Sequence, residues 1–203
     1  TVIAELEDGK ITLYPGNSVT PTSGFFEPDV LAGETFSFSS SDPAVCTFSP
    51  TITGVAPGTC TLSATRSGDG NHEGSSASAT VTVLDGKTFT GLTVPTSGAG
   101  GSASASFTGG GIACRFDVSA NATRFEAAPA TLPAGKTLPQ DVFRFKLIDC
   151  DEGSSVVMNV TWPQAVDGYI KHGYASAAER QSNTLSYFAP EGLSVNGNSV
   201  SFT

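Results

Sequence analysis

Apolar and polar side chains alternate with a period of two along most of this sequence, and three of its four cysteines fall in phase with the apolar set. A period of two puts residues i and i+2 on one face of a strand, leaving one face for a core and one for water. In "SASATVTVL" the inward set is Ala77, Ala79, Val81 and Val83; in "SVVMNVTW" it is Val156, Met158, Val160 and Trp162. Cys46 shares a face with Phe48, and Cys60 shares one with Leu62 and Ala64. Two inward thiols in one small β-domain read as a buried disulfide. Cys114 falls in phase with Phe116 and Val118, with Arg115 and Asp117 pointing out. Cys150 lies just past the alternation Phe143, Phe145, Leu147, at a strand end. Zinc would need close pairs such as C-x2-C, and the sequence has none.

Turn signals separate the runs: Pro15-Gly16, Pro57-Gly58, Gly68-Asp69-Gly70, Asp85-Gly86 and the stretches Gly98–Gly101 and Gly109–Gly111. Many short strands at such spacing predict a sandwich or barrel. Only "ASAAERQS" has a helical pattern, for a turn or two. The boundary falls in "VTVLDGKTFTGLTV", where one strand ends and the next begins. Each side then holds one candidate disulfide, with a linker, Asp85-Gly86-Lys87, too short for free tumbling. The expected fold class is all-β: two tandem β-sandwich (Ig-like) domains, each with one disulfide. Residues 11–86 form the first and residues 87–203 the second, after a strand-like arm over residues 1–10. The chain closes with "GLSVNGNSVSFT", in which Asn196-Gly197 predicts a type I′ hairpin turn, with φ > 0 at both centres.

Charge excludes one class of partner. A net charge of −9, from 10 Lys and Arg against 19 Asp and Glu, offers no basic face for phosphates, so no nucleic acid is expected. No run is long or apolar enough to form a membrane helix. Candidate disulfides place the chain in an oxidising compartment, secreted or at a cell surface.

Residues 11–84, with "SSSDPAVCTFS", "GVAPGTCTLSATRSGDGNHEG" and "ATVTV", resemble bacterial Ig-like repeats. Residues 88–203 are similar to the choice-of-anchor U domain through "TFTGLTVP", "ASASFTGGGIACRF", "LPAGKTLPQDVFRFKLIDC" and "VNGNSVSFT". The resemblance implies an exported bacterial surface protein, and it carries over no catalytic residues. It begins near Ile11, leaving "TVIAELEDGK" as an additional arm, and related domains continue past the final hairpin. A spare strand at one end and a missing one at the other point to self-association by β-strand donation. Val2, Ala4 and Leu6 would then fill a neighbour's groove beside Val200 and Phe202, building a surface layer or filament.

Chemistry finds little footing. His72 and His172 stand in different modules, and neither G-x-S-x-G nor H-E-x-x-H occurs, so a non-enzymatic protein without cofactors is expected. Asp69, Asn71 and Glu73 present oxygens at alternate positions, and Asp149, Asp151 and Glu152 form an acidic turn. Calcium wants six or more converging oxygens, so no metal is expected. The segment "DGYIKHGYASAAERQSNTLSYF" gathers Tyr169, His172, Tyr174 and Tyr187. Such residues either cap a sandwich end or contact a glycan or a surface protein, as in an adhesin or stalk.

Overall fold

The structure is a computed structural model that describes residues 10–20, 36–49, 51–68, 71, 73–95, 100–129, 132–140 and 142–203. Val2, Ala4 and Leu6, with the rest of the N-terminal arm before Lys10, lie outside the described residues, as do Asp69 and His72. The fold is all-β, in two compact units, Thr1–Gly86 and Lys87–Thr203.

The first unit contains β1 (Lys10–Leu13), β2 (Ser18–Val19), β3 (Phe36–Ser40), β4 (Cys46–Phe48), β5 (Ile52–Gly54), β6 (Gly58–Arg66) and β7 (Ser75–Val83). One sheet has the order β1-β7-β6-β3 and the other β2-β5-β4. The β6–β7 register sets Cys60 opposite Val81 and Leu62 opposite Ala79 on the core face. On the solvent face it sets Thr59 opposite Thr82, Thr61 opposite Thr80 and Ser63 opposite Ser78. β1 joins β7 in parallel, adding Ile11 and Leu13 to the buried side. Cys46 on β4 and Cys60 on β6 form a disulfide between the two sheets, with Cα atoms 6.2 Å apart.

The second unit contains β8 (Thr88–Leu92), β9 (Ser102–Gly109), β10 (Arg115–Phe116), β11 (Arg124–Glu126), β12 (Val142–Arg144), β13 (Leu147–Ile148), β14 (Val156–Thr161), β15 (Lys171–Gly173), α1 (Ala177–Ser182), β16 (Ser186–Phe188), β17 (Ser194–Asn196) and β18 (Ser199–Phe202). A five-stranded sheet, β17-β18-β14-β9-β8, is covered by side chains from the pairs β10–β13 and β11–β12. Ala103, Ala105, Phe107, Met158, Val160, Val200 and Phe202 come from the large sheet; Phe116, Phe125 and Phe143 come from the pairs. Most of the ring pairs meet edge-on or tilted, as their quadrupoles favour: Phe107 meets Phe116 at 5.0 Å and Phe125 meets Trp162 at 5.5 Å.

Three expectations are corrected here. Alternation after Cys114 ends at Phe116: Asp117 is 6% exposed and Val118 is 56% exposed. Asp117 accepts hydrogen bonds from the Ser119 N–H and hydroxyl, and this Asx turn takes the chain out of the strand before Val118 can point inward. The final hairpin pairs Asn196 with Ser199, so its central residues are Gly197 and Asn198 rather than Asn196 and Gly197. Gly197 has φ +61° and Asn198 has no positive φ, the sign pattern of a II′ turn with Gly first. Asn198 is held by Trp162, accepting from its N–H and donating from Nδ2 to its carbonyl.

The third correction concerns the open edge expected near the C-terminus. β18 is hydrogen-bonded on both sides, to β14 and to β17, so among the described residues the sheet ends at β17 and β8. Val200 and Phe202 are 1% and 2% exposed, within the core of their own unit. A strand donated beside β18 would find both of its ladder positions taken by β14 and β17.

Candidate functional site

The tyrosine-rich segment lines a cleft of about 1280 Å³ in the second unit. β15 and β16 pair antiparallel with His172 directly opposite Tyr187, and their rings stack with centroids 4.4 Å apart at 22°. Both rings are exposed, because neighbours on the pleat point the other way and leave this pair toward water. α1 connects the two strands and is fixed at both ends. Its N-cap Ser176 accepts from the Glu179 N–H, while Glu179 accepts from the Ala175 N–H and the Ser186 hydroxyl. At the C-cap, Asn183 adopts the left-handed conformation, and its Oδ1 accepts from the Tyr174 hydroxyl at 2.5 Å. The Tyr174 ring is thereby oriented before any ligand arrives.

Tyr169 has a different part. It stacks on Phe202 at 4.9 Å and packs against the core, and burial raises its phenol well above the ordinary value. Of the four candidate ligand contacts, Tyr169 caps the sandwich; His172, Tyr174 and Tyr187 present surface. All four line the cleft.

Lys171 extends its ammonium over the Phe145 and Phe202 rings at 5.9 and 5.4 Å. Half-burial lowers its pKa, since leaving water disfavours the charged form. Gln140 also lines the cleft although it is only 5% exposed. Its Nε2 donates to Gln164 Oε1 at 3.0 Å, and its own Oε1 has no hydrogen-bond partner. Neither Gln140 nor its cleft position was legible in sequence. Lys171 and Arg180, by contrast, stand inside the segment that the aromatic clustering marks.

The second disulfide, Cys114–Cys150, has Cα atoms 4.1 Å apart and closes the β10–β13 ribbon beside an Arg115–Asp149 ion pair. Cys114 is buried and Cys150 is exposed, past the end of β13. The acidic turn is engaged locally: Asp149 pairs with Arg115, and the Asp151 carboxylate lies against Gly111. Among the described residues, no group of three His, Cys, Asp or Glu converges as a metal site would require. No helix among them is long and apolar enough to cross a membrane.

No protein-family model matches this chain, and neither a curated protein nor a solved structure matches it.

Proposed function

We propose that this chain is a non-enzymatic extracellular binding module, an adhesin or stalk whose second unit holds a glycan or a surface protein in the cleft. One observation carries the reading: the stacked pair His172–Tyr187 is presented at a cleft whose walls are fixed by hydrogen bonds made within the chain. Amphipathic rings with an apolar face and a wet tip are the side chains that bind sugars and protein surfaces. Two disulfides favour an oxidising, extracellular setting, as does the resemblance to exported surface domains. The sandwiches supply stiffness and the cleft supplies recognition.

The test is binding of the purified chain to an array of glycans and to immobilised surface proteins, with light scattering to give its mass. A monomer that binds, and stops binding when Tyr174 and Tyr187 are both changed to Ala, is the expected result. Fibres without binding would overturn the reading and return assembly between copies as the function.

A further inference from the structure

The second unit carries eight Lys and Arg side chains, and five are held by carboxylates or backbone carbonyls within it. Arg115 pairs with Asp149, Arg124 and Arg144 with Glu126, and Lys146 with Asp117. Lys87 donates to the Gly109 and Gly111 carbonyls at 2.9 and 2.8 Å. The other three are Lys136, Lys171 and Arg180. None of them has an ion-pair partner among the described residues, and all three line the cleft. With 19 carboxylates in the chain, acidic partners are abundant elsewhere. Within the cleft, Glu126 is taken by its two arginines, and Asp167 is the other carboxylate on the wall among the described residues.

Gln140 adds a buried polar side chain to the wall of the cleft. A buried carboxamide acceptor without a partner loses its hydration for nothing, unless a donor arrives from outside. Exchanging its O and N would orphan an N–H instead, so one buried polar atom of the side chain stays unmatched in either assignment.

Resting on the binding function proposed above, we infer that the cleft takes an acidic oligosaccharide, a sugar chain bearing carboxylates. A sugar ring packs on the His172–Tyr187 pair, and Lys136, Lys171 and Arg180 meet its carboxylates. A sugar fits better than an acidic peptide because the exposed rings all carry polar edges, whereas Trp162 and Phe143 are spent on the core rather than left open as anchor pockets. The volume exceeds the roughly 300–1,000 Å³ usual for one small molecule, and so suits several linked sugars.

Calorimetric titration of the whole chain with four probes tests this: a galacturonate hexamer, a mannuronate hexamer, the methyl-esterified galacturonate hexamer and a glutamate-rich peptide of matched charge. At least one uronate should bind, with the neutral ester and the peptide weaker by about ten-fold or more. Lys136→Glu with Arg180→Glu should weaken the uronate by a similar factor at unchanged melting temperature, since both residues are exposed. Equal binding of the ester would overturn the acidic ligand while leaving a glycan module standing. Preference for the peptide would overturn the sugar and leave a protein-binding module. Silence toward all four, with array binding intact, would overturn the inference alone; silence on the array as well would overturn the function beneath it.

Discussion

Lys146 Nζ lies 2.8 Å from Asp117 Oδ2, across the pair of segments that leave β10 and enter β13. The Asp117 N–H donates to the Lys146 carbonyl at 2.8 Å, so the two residues are joined through backbone and side chain together. The Lys146 ammonium, then the Ser119 hydroxyl and N–H, hold the Asp117 carboxyl down at about 2, against the opposing pull of desolvation.

That depression fixes a pH dependence. A carboxyl with a folded pKa below its unfolded value near 3.8 stabilises the fold above that value, and the contribution disappears as pH falls from about 4 through about 2. Denaturant unfolding from pH 6 to pH 2 should show a loss of stability in that window. Asp117→Asn should be less stable at pH 6 and should lack that part of the slope. An identical slope in the variant would remove Asp117 from the account.

The two disulfides close loops of different length, with sequence separations of 14 and 36. Loop entropy gives about 3 kcal/mol for Cys46–Cys60 and about 4 kcal/mol for Cys114–Cys150. Replacing either pair with Ser should lower the denaturation midpoint accordingly. Spectroscopic probes at Tyr14 for the first unit and Trp162 for the second check which unit has weakened.

Gly110 has φ +75°, and a methyl group there would stand 2.5 Å from Cys114 Sγ. Gly110→Ala should therefore cost roughly 1–3 kcal/mol from backbone conformation alone, with steric displacement of the disulfide added. Gly173→Ala is the control, since open space surrounds the new methyl. Thermal melts of both variants decide it, and equal melting temperatures would contradict the packing.

Phe202→Ala should cost about 3–5 kcal/mol, because the ring is buried between the sheet and Tyr169. Val195→Ala on β17 should change stability by less than about 0.5 kcal/mol. If Phe202 were an interface side chain, its truncation would alter mass in solution and leave the melt unchanged.

How far the sequence led is clear from particular residues. Val81, Val83, Met158 and Val160 were legible as core because alternation records which face each side chain takes. It does not record which strand lies alongside, so the position of β18 between β14 and β17 could not be read from it. Asp117 escaped because a local Asx turn competes with the strand, and the competition is settled by Lys146 from a distant segment. Part of the site was visible, since aromatic clustering marked His172, Tyr174 and Tyr187. Gln140 and Lys136 were not, because only the folded chain brings them to the same cleft.

The parallel pairing of β1 with β7 has a mechanical consequence. A pull on the first unit from its two ends draws β1 by its front and β7 by its rear, along the ladder rather than across it. The bonds from Lys10–Thr80 to Leu13–Val83 then carry the load together instead of opening one after another. Should the ladder slip, the Cys46–Cys60 bond still withholds on the order of 50 Å of contour from extension. Under tension, the first unit is a clamp with a short leash.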